Sequence, residues 1–137
     1  FDSKPRFFRS IPLYTASGIR CRFNKAKHMK PMAPEEILAK LSGHPGWRQE
    51  NQWLARDLQF SDFKDAWEFM AHVAGAAEAL DHHPNWYNVY NTVQIRLSTH
   101  DAQGITKRDF DLAAIIDLYL ANVAHTNLPP TPIFKSA

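Results

Sequence analysis

The chain has 137 residues, 45% of them hydrophobic, which is the size of one ordinary domain with a core of its own and too little for two. Its single cysteine, Cys21, excludes an intrachain disulfide scaffold and a cysteine-based zinc site, and no apolar run approaches the roughly 20 residues of a membrane helix. The net charge of +2 is unevenly spread, because residues 1–30 hold eight Lys and Arg against Asp2 alone and the rest of the chain is net acidic.

Residues 1–30 are read as a basic N-terminal extension. Pro5, Pro12, Gly18 and Pro31 break any long helix there, and Ile11–Tyr14 could at most lie along a sheet edge. An Arg-rich, acid-poor arm suits a solvated extension or the remnant of an organelle-targeting segment. The cytoplasm is the expected location, with an organelle left open, and nucleic acid is not an expected partner.

A folded domain is expected over residues 31–125. Ala33-Pro34-Glu35-Glu36 opens a short helix with proline and acids in the first turn, Ile37, Leu38 and Leu41 on its apolar side, and Gly43 as its stop. Trp47–Glu50 and Trp53–Phe60 read as two strands of a hairpin turning at Asn51-Gln52. Ser61 is the expected N-cap of a long helix whose stripe is Phe63, Ala66, Trp67, Met70, Val73, Ala74 and Ala77. On its polar side, His72 sits four residues after Glu68 and is expected to pair with it.

Pro84 ends that helix and pushes His83 towards an extended conformation, so His82 and His83 lie in a helix-to-strand turn. Val89–Ser98 alternates as a strand with one buried face. Gly104 closes the following loop and Thr106 caps a last helix with Leu112, Ile115, Ile116 and Tyr119 on one apolar line. A second apolar line, Ala114, Leu118 and Ala121, predicts self-association through this helix, as a dimer or tetramer. From residue 126 the chain reads as a Pro-rich tail, extended or loose, with Pro129, Pro130 and Pro132.

The three histidines of Asp81-His82-His83-Pro84 and Ser98-Thr99-His100-Asp101 are the candidate functional residues, because imidazole both gives and takes protons near neutral pH. A lone loop histidine is usually just a hydrogen-bonding residue. Three imidazoles could also hold a zinc ion, with Asp81 or Asp101 behind them.

The ordered words Trp67-Glu68-Phe69-Met70-Ala71-His72-Val73-Ala74, Ala77-Glu78, Asp81 to Asn91, Leu97 to Asp101, Gly104 and Arg108-Asp109 resemble the pterin-4a-carbinolamine dehydratase family. The resemblance covers roughly residues 33–122, and the basic arm lies outside it. It implies an α+β fold of two layers, a four-stranded antiparallel sheet with helices packed on one face, in a β-β-α-β-β-α order preceded by a short helix. The fourth strand, which periodicity alone does not give, is then expected around Trp86-Tyr87.

The resemblance implies a hydro-lyase that converts a 4a-hydroxytetrahydropterin to the quinonoid dihydropterin plus water during tetrahydrobiopterin recycling, without a metal or redox cofactor. His82, His83 and His100 become the expected catalytic residues, His83 as acid towards the 4a-hydroxyl and the other two as base or electrostatic partners. Asp81, Ser98, Thr99 and Asp101 are expected to line the pterin site, with Trp86 as a wall and Arg108 within reach. Some members of the family also serve as dimerisation cofactors of a transcription factor, so an interaction module is the alternative function.

Overall fold

The computed structural model describes residues 29–130. The basic extension up to residue 28, with its sheet-edge segment Ile11–Tyr14, and the end of the Pro-rich tail lie outside the described residues.

Helix α1 spans Pro34–Leu41, with proline in its first turn and the Glu36 carboxylate accepting from the Ala33 N–H at 3.1 Å. Strands β1 (Arg48–Glu50) and β2 (Trp53–Gln59) form the expected hairpin, in the register Arg48↔Ala55 and Glu50↔Trp53. Asn51, with φ of 55°, supplies the left-handed residue that this tight reversal needs.

Helix α2 spans Phe63–Leu80. Its N-cap is Asp62 rather than Ser61: the Asp62 carboxylate accepts from the Asp65 N–H at 2.9 Å, an anionic acceptor at the positive end of the helix. The buried stripe is Ala66, Phe69, Val73 and Ala77, turned by part of a helical step from the one expected. Phe69 goes fully inside, while Phe63 and Trp67 stay on the rim, stacked on each other at 6.1 Å. His72 does not pair with Glu68, which Lys64 takes at 3.3 Å; its ring lies 4.6 Å from that of Tyr119.

The alternating run Val89–Ser98 is cut by a turn, so that Val89 ends one strand and the next begins at Thr92. Strand β3 (Asn85–Val89) turns at Tyr90-Asn91 into β4 (Thr92–Leu97), which places the fourth strand at Trp86-Tyr87 as the family pattern implied. Tyr90 carries the turn at φ of 51° with no glycine to announce it. A 3-10 turn at His100–Ala102 leads to helix α3 (Lys107–Leu120), capped by Thr106 as expected.

The sheet order is β1-β2-β4-β3, all antiparallel. The tail contributes to it: β5 (Thr126–Asn127) pairs with Leu58 and Gln59 of β2, and Leu128 N donates to Asp57 O at 2.8 Å. Leu54 and Leu58 of β2 and Val93, Ile95 and Leu97 of β4 share the face covered by Phe69 and Val73 of α2 and Leu112 and Ile116 of α3. A core residue of this size contributes about 1.5–3 kcal/mol when fully buried. On the other face Arg96 and Gln94 are buried too, so β4 has no solvated side; Arg96 donates to Asp57 at 2.7 Å and to Glu50 at 3.0 Å. Among the described residues no helix is long and apolar enough to cross a membrane.

Candidate active site

The two histidine segments meet where α2 ends and β4 ends. Helix α2 stops because Asp81 takes the left-handed conformation, φ 53° and ψ 44°, a position usually given to glycine but tolerated by aspartate. The stop is a paired one: His82 N donates to Ala77 O at 3.0 Å and Asp81 N to Glu78 O at 3.2 Å. Arg108 of α3 closes the last free carbonyls, its Nη2 donating to Asp81 O at 2.6 Å and Leu80 O at 3.2 Å. The turn that carries His82 and His83 is thus fixed from both sides.

On the β4 side, Thr99 and Gly104 bridge the ends of the loop, Thr99 N to Gly104 O at 2.9 Å. Gly104 is required by packing, since a Cβ there would stand 2.9 Å from the Pro31 side chain. His100 and Asp101 sit exposed on the 3-10 turn within this loop, with Trp53 edge-on to the His100 ring at 6.4 Å.

Below the cleft lies a buried polar knot centred on Asp109, which is completely inaccessible to solvent. Its Oδ1 holds His82 Nε2 at 2.6 Å, and its Oδ2 accepts from Thr99 Oγ1 and Thr106 N, both at 2.9 Å. Thr99 and Thr106 hydroxyls are 2.7 Å apart. With both Asp109 oxygens accepting, His82 carries its proton on Nε2, and Nδ1 is the nitrogen left to a ligand. His83 differs: it is exposed, and Glu78, one helical turn back on α2, lies 2.9 Å from its Nε2.

These side chains enclose one cleft of about 300 Å³, lined by Asp81, His82, His83, Pro84, Asn85, Ser98, Thr99, His100, Asp101 and Arg108. That volume is at the small end of the roughly 300–1,000 Å³ range of small-molecule sites. Trp86 is not among its walls; from β3 it packs against the hydrophobic core, because alternation along the strand turns it to the helix side. Among the described residues no three His, Cys, Asp or Glu side chains stand together so as to hold a metal ion.

The model of the pterin 4 alpha carbinolamine dehydratase family matches residues 30–119. The chain belongs to this family. A provisionally named pterin-4-alpha-carbinolamine dehydratase of Christiangramia forsetii is 45% identical over 89 residues, covering 65% of this chain and 92% of that protein. One of the same name from Rhodopseudomonas palustris is 44% identical over 98 residues, 70% of this chain and 97% of its own. Among solved structures, a protein described as a transcriptional coactivator/pterin dehydratase from Brucella melitensis superimposes with a TM-score of 0.64 at 35% identity, over 65% of this chain and 97% of that one.

Two carboxylates of this dehydratase-family chain escaped the sequence reading. Asp109 was visible as the last residue of a Thr106-x-x-Asp109 capping box, the third position of the helix, whose usual meaning is a helix start and nothing more. It does close that box, through Thr106 N, and in addition grips His82. Glu78 stood within the quoted words, and only the wound-up end of α2 brings it to His83.

Proposed function

We propose that this chain is a dehydratase that removes water from a 4a-hydroxytetrahydropterin by histidine general acid/base catalysis, in the recycling of tetrahydrobiopterin. The observation that carries the reading is the convergence of His82, His83 and His100, from two separate segments, on one cleft of a chain in this family.

Hydroxide is a poor leaving group, so the C4a–O bond breaks as an acid protonates its oxygen, and the departing molecule is water. The adjoining ring N–H gives its proton to a base, and the electron pair released forms the new carbon–nitrogen double bond. Each proton transfer is worth about 10²–10⁴ in rate. His83, open to solvent and with Glu78 2.9 Å from its Nε2, suits the acid, since bulk water can reload its proton after each turnover. His82 suits the base: Asp109 holds its tautomer and compensates the positive charge that forms when Nδ1 takes a proton. His100, on the opposite wall, orients the substrate, and Asp81, Ser98, Thr99, Asp101 and Arg108 offer the flat heterocycle its hydrogen bonds. The elimination neither oxidises nor reduces the pterin, so it draws on no redox cofactor.

Stopped-flow measurement of carbinolamine disappearance tests this. His82→Ala and His83→Ala are each expected to lose about 10²-fold or more in rate, with a smaller loss for His100→Ala. Full turnover in His83→Ala would remove the acid assignment.

A second reading, an interaction module, is favoured by exposed apolar side chains on two helices: the Phe63–Trp67 stack on α2 and Leu118, 73% exposed, on α3. Self-association through α3 is the simplest use. Leu118→Asp is expected to lower the native mass in light scattering while dehydration persists, and an unchanged mass removes α3 as the interface.

A further inference from the structure

A second cavity, of about 280 Å³, opens between the α1–β1 loop, the C-terminal end of α3 and the segment leading to β5. Into it reaches Arg56, the charged residue that β2 places on the helix side of the sheet, its side chain only 8% exposed. Arg56 Nη1 donates to Asp117 Oδ1 at 2.6 Å and Nε to Asn127 Oδ1 at 3.2 Å; Nη2 has no protein partner among the described residues. The guanidinium packs against Gly46, where a Cβ would collide with its Cζ, Nη2 and Nε, so glycine is needed for it to reach the cavity.

Asp117 does not use up this cation. Its two oxygens also accept from Trp47 Nε1 at 2.8 Å and meet His44 Nδ1 at 2.7 Å, so one carboxylate serves three donors. Burial pushes the Arg56 guanidinium below its ordinary value, and the charge of Asp117 offsets part of that. His125 lines the same cavity with its tautomer fixed: Nδ1 is 2.7 Å from Val123 O, which only accepts, so Nε2 is the free nitrogen. The remaining wall is apolar, made by Pro45, Leu120 and Ala121.

We infer that this cavity binds a small organic carboxylate, its anionic head on Arg56 Nη2 and the Nε2–H of protonated His125, its hydrocarbon body against Pro45, Leu120 and Ala121. An inorganic anion would leave the apolar wall unused, and a neutral amide would gain nothing from the buried cation. The charged and titratable groups facing His125 across the cavity are Arg56 and Asp117, with His44 on the far oxygen of Asp117.

The test is a titration of the full chain with benzoate, and separately benzamide, followed by the nitrogen-15 NMR signal of the Trp47 indole N–H, which is bonded to Asp117. Benzoate is expected to shift that signal saturably below about 10 mM, and benzamide to leave it in place. His125→Ala should weaken the response about tenfold. Ala121→Trp, at the rim and away from the ion pair, fills the cavity and should abolish the response while carbinolamine turnover persists. No saturable shift with benzoate, an equal one with benzamide, or one that survives Ala121→Trp would overturn the inference. The readout does not depend on dehydration, so its failure and that of the catalytic proposal are distinguishable.

Discussion

Replacing Asp109 by Asn separates what the buried carboxylate does for folding from what it does for His82. The aspartate accepts from His82 Nε2 at 2.6 Å, Thr99 Oγ1 at 2.9 Å and Thr106 N at 2.9 Å, with no access to solvent. An asparagine has one accepting oxygen and one NH₂ group. The oxygen must stay with the Thr106 N–H, which can only donate, so the NH₂ is turned towards His82. That geometry is satisfied only if His82 Nε2 gives up its proton to Nδ1, the wrong tautomer for a base that works through Nδ1. The fold loses charge-assisted hydrogen bonds but keeps neutral ones, a cost of about 1–2 kcal/mol. The reaction loses its base, a cost of about 10²-fold or more. Asp109→Ala, by contrast, leaves two buried donors, His82 Nε2 and Thr106 N, unpaired and should cost about 3–5 kcal/mol, as breaking a buried pair does. Urea unfolding gives the first quantity and stopped-flow turnover the second. Asp109→Asn turning over within about threefold of the parent would refute the tautomer argument, since stability alone does not predict a loss in a folded protein.

Arg108→Ala removes the donors to Asp81 O and Leu80 O and should loosen the turn that carries His82 and His83. The expected outcome is about 1–3 kcal/mol of stability by urea unfolding and about a tenfold fall in kcat/KM; an unchanged kcat/KM would mean that the turn holds itself. Tyr119 gives the alkaline prediction. Burial first, then the negative charges of Glu68 and Asp65, push its phenol above the ordinary value. A raised folded-state pKa contributes stability that is fully present below the unfolded value, about 10, and is lost as pH rises through the folded one. Parent and Tyr119→Phe should therefore lose stability differently above about pH 10, the parent more steeply, and parallel curves of urea midpoint against pH would refute the assignment.

Much of this fold follows from periodicity that a single sequence displays. The β1–β2 hairpin, the α2 and α3 helices and the Thr106 cap are each specified by local signals, and these agree with the fold as a whole. Three features are not local. The α2 stripe could run through Trp67 and Met70 or through Phe69; residues one step apart share a face at 3.6 residues per turn, and only the shape of the facing β4 surface chooses Phe69. The reversal at Tyr90 uses a residue with no turn signature, so the strand that begins at Thr92 reads as beginning at Val89, and β3 is given only by the family pattern. Thr126–Asn127 becomes a strand because β2 has a free edge beyond β1, which tail composition does not reveal. In the cleft, the loop histidines stood out by residue type, whereas Asp109 was hidden behind an ordinary capping role and Trp86 was misplaced by ignoring the alternation of β3.

The contrast between the two adjacent histidines yields a further test. His82 is 7% exposed and its Nε2 is committed to Asp109, while the His83 side chain is 57% exposed and its partner Glu78 58%. An acid that delivers a proton to the departing oxygen must be reloaded every turnover, and an imidazole in contact with bulk water can be reloaded directly. A buried base needs instead a counter-charge to hold the proton until the product leaves, which Asp109 supplies. If the roles divide this way, truncating His83 leaves an opening through which a small acid from solution can act. Truncating His82 leaves a gap beside an unpaired Asp109, at the back of the cleft that the substrate fills. Added imidazole at about 10–100 mM, far below the effective molarity of a positioned group, should restore part of the turnover of His83→Ala in proportion to its protonated fraction, and none of that of His82→Ala. Rescue of His82→Ala alone would reverse the assignment, because it would make the buried position the one that exchanges protons with water.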